Sequence, residues 1–227
     1  MAYADDFLLR RAETVTNAGL EAGAIEPWTY YGGTVVSNDG NDYGGDYAIR
    51  IPSSTSSAGA EQEIVGLAPN TAYRLSGWTT NGGQGLSIGV KNYGGAQVLT
   101  TVSASAWTRG VVNFTTGASN TTATIFAFRG TSTATSYADS FFLHQPLAAP
   151  WVSQDVTDIP LDGIAGVLGD RFVIQAAGAD IWSTADKFHF VNQPITGDIQ
   201  ITARILGLDN TNIGAKTGVM IDRKSVV

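Results

Sequence analysis

The chain has 227 residues, 27 of them glycine and none cysteine, with 43% apolar and 15% charged residues. That length holds one large domain or two small ones, and apolar content this high with so little charge excludes a disordered tail. A net charge of −7 offers no basic stripe for phosphates, which excludes nucleic acid as a partner, and the absence of cysteine excludes disulfides, thiol nucleophiles and cysteine-ligated zinc.

The first residues read as a strand met out of place. Tyr3-Ala4-Asp5-Asp6-Phe7-Leu8-Leu9 shares five of seven residues with Tyr137-Ala138-Asp139-Ser140-Phe141-Phe142-Leu143, 134 positions on. An offset of that size is a β-sandwich domain length. Residues 1–12 are therefore expected to be the last strand of a preceding, truncated module. No run of 18 apolar residues is present, so no membrane span is expected, and the basic-then-apolar order of a signal peptide is missing from the start. The chain reads as an internal piece of a longer protein.

The middle reads as strands. Thr71 to Trp78 alternates, with Tyr73 and Leu75 on one face and Arg74 and Ser76 on the other. Thr108 to Thr116 is rich in β-formers. In Thr122 to Arg129, Ala123, Ile125 and Ala127 share one face, and Thr122, Thr124, Phe126 and Phe128 share the other. Turn signals separate these runs: Asn38-Asp39-Gly40, Tyr43-Gly44-Gly45, Pro69-Asn70, Asn81-Gly82-Gly83 and Tyr93-Gly94-Gly95. No sustained helical period occurs. Short strands between glycine-rich turns predict an all-β fold, a sandwich or a barrel.

Two prolines in His144-Gln145-Pro146-Leu147-Ala148-Ala149-Pro150 predict a linker, set at 146–153. Strand patterns resume at Phe172–Gln175, Phe188–Val191, Ile199–Ile205 and Gly218–Ile221. The stretch 154–227 is short for an unaided sandwich, so it is expected to be incomplete. Asp209-Asn210-Thr211-Asn212 lacks the glycine and closing glutamate of an EF-hand loop and reads as a turn.

Several phrases in order carry a family resemblance. They are Asn17-Ala18-Gly19-Leu20-Glu21, Trp28, Gly45-Asp46-Tyr47-Ala48-Ile49, Val65 to Tyr73 with its Gly-Leu-Ala-Pro-Asn-Thr-Ala-Tyr run, Trp107 before Val112–Gly117, and Tyr137-Ala138-Asp139. The segment 13–145 resembles carbohydrate-binding modules of families four, nine and twenty-two. The resemblance implies a jelly-roll β-sandwich that binds a polysaccharide or oligosaccharide. From 154 onward, Ala177–Trp182, Asp186–Val191, Thr196–Ile199 and Lys216–Ile221 resemble the first part of a bacterial concanavalin A-like sandwich. Asp222 departs from that family's pattern, in which arginine follows Gly-Val-Met-Ile directly. Together these imply a secreted or cell-surface modular protein whose module holds a covalently linked enzyme near its substrate. A structural spacer and a protein-recognition module remain the alternatives.

Sugar rings are held by flat aromatic faces, with polar groups fixing the hydroxyls. Tyr93 and Tyr43, beside glycine pairs in polar loops, are expected to be exposed and lead the ligand-binding candidates. Trp28 and Tyr31 follow, with Asn92, Gln97 and Arg74 as hydrogen-bonding partners. Trp107, Tyr47 and Tyr73 read as core, and Trp78 is open between core and surface. The resemblance also implies a structural Ca²⁺ between the opening and closing strands, with Glu21, Asp139 and Asp46 as its carboxylates. Asp139 sits on an apolar strand and needs a partner, which calcium, Arg50 or solvent can supply. Catalysis is not expected within the chain. Only His144 and His189 could serve a serine triad, and His189, between Phe188 and Phe190, reads as structural. The pair in Glu61-Gln62-Glu63 lacks the sandwich-glucanase motif.

Overall fold

The computed structural model describes residues 15–157, 162–182, 185–208 and 214–221. The expected leading strand at 1–12 and the turn at 209–212 lie outside the described residues. Among those described, the fold is all-β and without helix, as the sequence predicts.

Two antiparallel sheets face each other. One runs β1 (Thr29–Tyr31), β4 (Ala58–Val65), β9 (Thr122–Arg129), β6 (Leu86–Lys91), β7 (Val98–Val102). The other is built on the long strand β10 (Ser136–Pro146). On one side β10 pairs β3 (Ala48–Ile51), which pairs β2 (Val35–Ser37). On the other it pairs β5 (Ala72–Thr80), which pairs β8 (Thr108–Thr115).

The pleat decides what fills the space between the sheets. Tyr73 and Leu75 of β5, Val112 and Phe114 of β8, and Ala123, Ile125 and Ala127 of β9 all point inward and are buried. Those are the faces the alternation predicts. Arg74, Ser76 and Trp78 of β5 consequently share the outer face, beside Arg109, Val111 and Asn113 of β8. The register of β10 against β5 shifts between Asp139 and Phe142 at a bulge, where Ser140 has φ 50°. The bulge re-aims the strand so that Asp139 and Phe141 serve different neighbours.

Beyond Pro146 the chain does not leave the sandwich. The hairpin of β12 (Ile164–Leu168) and β13 (Arg171–Gln175) adds to the end of β10 through Gln145 and Pro146. A three-stranded sheet follows, ordered β11 (Val152–Val156), β15 (Ala185–Asn192), β14 (Asp180–Trp182). Within the stretch expected as a linker, 146–153, Pro146 ends β10, Val152 and Ser153 open β11, and residues 147–151 lie between the two strands. The strands expected at Ile199–Ile205 and Gly218–Ile221 do not form. Ile199, Ile201, Ile205, Val219 and Ile221 are exposed, and no strand lies beside them among the described residues. An alternating pattern becomes a strand only where a neighbour takes its N–H and C=O groups.

Candidate functional site

The opening turn is docked on the bulge of β10. Asn17 and Leu20 hold left-handed backbone conformations, and the Asn17 side chain donates to the carbonyls of Ala24 and Glu26 at 2.8 and 3.2 Å. The N–H of Phe141 donates to the Ala18 carbonyl at 3.1 Å. The turn thereby sets Glu21 against the next loop, where its carboxylate accepts from the N–H of Asp46 at 2.9 Å and of Tyr47 at 3.2 Å.

Asp139 is fully buried in the bulge. Its carboxylate accepts from the N–H groups of Tyr43 at 2.9 Å, Gly44 at 3.3 Å and Ser140. Burial pushes its carboxyl up to about 7; the three N–H donors pull it down, and the nearby Glu21 charge pushes it up further. Glu21 is thus the charged neighbour of Asp139. Asp46 does not complete a trio with them. Its contribution to Glu21 is a backbone N–H, its side chain is exposed, and no group of three metal-binding side chains exists among the described residues. Of the three carboxylates expected together, the structure brings Glu21 and Asp139 near one another and leaves the Asp46 side chain exposed.

The donor loop of Asp139 also carries the aromatic cluster. Tyr43 stacks on Trp78, with ring centroids 3.9 Å apart and planes 14° from parallel, and meets Trp107 at 5.8 Å and 59°. The Arg109 guanidinium lies 5.5 Å from the Trp78 ring and donates to the Asp162 carbonyl at 2.7 Å. The Tyr43 hydroxyl is buried without a hydrogen-bond partner among the described residues, and burial raises its pKa strongly. Trp107, expected in the core, is half-buried on this outer face instead. Next to it, a cleft of about 450 Å³ opens between the outer face and the residues after β10, lined among others by Arg74, Arg109, Val111, Trp151 and Ser153.

Burial corrects the leading candidate Tyr93 and the third-ranked Trp28. Tyr93 is only 6% exposed; it packs on Phe114, and its hydroxyl donates to the Ala96 carbonyl of its own turn. Its neighbouring glycines let the ring fold back beneath the loop, so neither face is open to a sugar. Trp28 is 2% exposed, packs on Phe141 and donates from Nε1 to the Asn17 carbonyl at 3.3 Å. Tyr31 is exposed, but on the edge strand of the opposite sheet. Asn92 and Gln97 are exposed at the β6–β7 turn of that same sheet, with Asn92 donating to the Thr124 hydroxyl at 3.1 Å. Only Tyr43 and Arg74, which donates to Asn113 Oδ1 at 3.0 Å, reach the outer face together. Reasoning on sequence missed Trp107, Arg109 and Trp151 there and left Trp78 open. For Trp78 the signal was present, because it lies two and four residues beyond the outward Ser76 and Arg74.

The two facing antiparallel sheets define a β-sandwich. The chain belongs to the Carbohydrate binding domain family CBM_4_9, whose model matches residues 12–135. Among curated proteins, the keratan-sulfate endo-1,4-beta-galactosidase of Sphingobacterium multivorum is 42% identical over 134 residues, 57% of this chain. The match spans only 31% of that relative's length. Among solved structures, TmCBM61 in complex with beta-1,4-galactotriose aligns with a TM-score of 0.50 at 23% identity, covering 60% of this chain and 99% of that one. At that identity it shows a common fold. A family 16 carbohydrate binding module aligns with a TM-score of 0.47 at 23% identity over 57% of this chain and 97% of its own.

Proposed function

We propose that the sandwich retains a polysaccharide through its outer face and holds a covalently attached carbohydrate-active enzyme near that substrate. The observation that carries this is the cluster of Tyr43, Trp78 and Trp107, braced by Arg109 beside an open cleft. Aromatic surface with a few convergent polar groups is what pyranose rings require. Tethering raises local substrate concentration without any chemistry by the module. The ligand class tested first is a glycan containing β-1,4-linked galactose. The name of the 42% identical relative and the trisaccharide in the TmCBM61 structure both support that choice. We place the protein in a secreted or cell-surface modular context.

Calcium fits this scheme in part. Glu21 and Asp139 are neighbouring carboxylates, Asp139 fully buried, and the fold gives Asp139 no cationic partner among the described residues. These two would hold Ca²⁺, with backbone carbonyls completing its oxygen shell. The ion would pin the opening turn to β10, a structural role.

Retardation in native gels containing galactan, keratan sulfate, xylan or cellulose derivatives tests the reading, with Ca²⁺ or chelator. Selective retardation by one glycan, lost in Trp107→Ala with the fold intact, is expected. A folded protein that migrates freely through every glycan would leave the spacer alternative standing.

A further inference from the structure

The residues after β10 hold a second arrangement that glycan retention does not use. Ser153 and Asp155 are two apart on β11 and share one face of the pleat. Asp155 stands opposite His189 of β15, and Ser153 is the diagonal neighbour. The pairing brings His189 Nδ1 within 2.6 Å of Asp155 Oδ1, and His189 Nε2 within 2.8 Å of Ser153 Oγ. A carboxylate only accepts, so Nδ1 carries the proton and Nε2 is left to accept from the serine hydroxyl. Asp155 is itself held by the N–H of Gly163, at 3.1 and 3.2 Å from its two oxygens. Gly163 packs so closely that a Cβ there would overlap the imidazole. The His189 side chain is 2% exposed, whereas Ser153 is exposed and lines the cleft with Arg74, Arg109 and Trp151.

We infer that Ser153, His189 and Asp155 form a nucleophilic triad that hydrolyses short acyl esters presented in this cleft. A hydroxyl bonded to a basic nitrogen, with that ring oriented by a carboxylate, is the arrangement serine acyl transfer requires. Ser153 Oγ attacks the acyl carbon while its proton passes to His189 Nε2. The ester C–O bond breaks, and His189 returns that proton to the departing alcohol oxygen. Water, giving a proton to His189, then attacks the acyl-serine; the acyl C–Oγ bond breaks, His189 returns the proton to Ser153 Oγ, and the carboxylic acid leaves. Asp155 keeps the ring in its tautomer throughout. Arg74 and Arg109 line the same cleft and are the cations nearest to hand for a developing oxyanion. An O-acylated sugar is the natural form of such an ester. That choice alone rests on the glycan reading above; the esterase chemistry does not.

The full chain, incubated with a fluorophosphonate and mapped by peptide mass, tests the triad alongside hydrolysis of p-nitrophenyl acetate. The label is expected on Ser153, and Ser153→Ala is expected to lose roughly 100-fold or more of the hydrolysis rate. His189→Gln should lose both label and turnover. Ser153 is exposed, so Ser153→Ala decides the matter should His189→Gln fail to fold. A folded wild-type chain without label on Ser153, or a Ser153→Ala variant that hydrolyses at the wild-type rate, overturns the inference. Turnover of the small ester with none of any acetylated glycan would keep the triad and remove the sugar ester.

Discussion

The backbone N–H of Tyr43 donates to the buried carboxylate of Asp139 at 2.9 Å, so one bond ties the aromatic face to the closing strand. Whatever changes the charge on Asp139 changes the anchor of the Tyr43 ring. The ring in turn lies flat on Trp78 at 3.9 Å.

The first prediction concerns pH. The Asp139 carboxyl is pushed up to about 7 in the folded protein, chiefly by burial, whereas the unfolded chain holds it near the ordinary carboxylate value of about 3.9. Between those values the folded state binds the extra proton. The stability it confers is full below the unfolded value and is lost as pH rises through the folded one. At about 1.4 kcal/mol per pH unit, the change amounts to a few kcal/mol. Urea midpoints should therefore fall between about pH 4 and 7 in chelator, and Asp139→Asn should flatten the slope. Added Ca²⁺ should raise the midpoint near the upper end of that range and leave the lower end unaffected. A midpoint at neutral pH that ignores Ca²⁺ removes the ion from the scheme.

The second prediction separates a surface aromatic from a buried one. Trp107→Ala should weaken glycan retention about tenfold or more while leaving the melting temperature within a few degrees, since the ring is only half-buried. Tyr93→Phe should do the reverse. It deletes the hydroxyl that donates to the Ala96 carbonyl, costs about 1 kcal/mol in urea unfolding, and leaves retention unchanged. Affinity gels and denaturant titrations on both variants form the comparison.

Strand positions were legible because period-two alternation is local: β5, β8, β9, β13 and β15 all lie where it places them. Loop aromatics were less legible. Tyr43 and Tyr93 have the same sequence surroundings, a tyrosine before two glycines, yet the first meets Trp78 on the outer face and the second folds under its own turn onto Phe114. The difference comes from residues distant in sequence. The same holds for Trp107, whose place is fixed by Tyr43, 64 positions earlier. It holds again for His189, where flanking phenylalanines suggested a structural histidine and gave no hint of Ser153 and Asp155 across the strand pair.

The third prediction uses Gly45, which has φ +95°, a region that costs any residue with a side chain. The close approach adds to this, because a Cβ would overlap the Glu21 carboxylate. Gly45→Ala should push Glu21 off the N–H groups of Asp46 and Tyr47. The expected destabilisation is about 2–4 kcal/mol, read as a lowered urea midpoint. Any calcium response should weaken in step. An unchanged midpoint would mean that the loop relaxes without needing Glu21.

The last prediction concerns a charge with no evident use to the fold. Arg129 ends β9 on its inward face, 3% exposed, and none of its three guanidinium nitrogens has a hydrogen-bond partner among the described residues. Burial lowers its pKa, as desolvation does to any cation. Ser136 and Thr79, whose buried hydroxyls are also unpartnered, lie at the same end of the sandwich, where β10 begins and β5 ends. A buried, unpaired cation opposes folding, and a well-packed apolar side chain of similar length removes that penalty. Arg129→Met should therefore stabilise the chain by about 1–4 kcal/mol, seen as a higher urea midpoint with an unchanged slope. Glycan retention should not alter, because the side chain points away from the outer face. Loss of stability in the Arg129→Met variant would show that the guanidinium is held by a group that enters this end of the sandwich in solution. The anion dependence of the wild-type midpoint would then distinguish a bound anion from water.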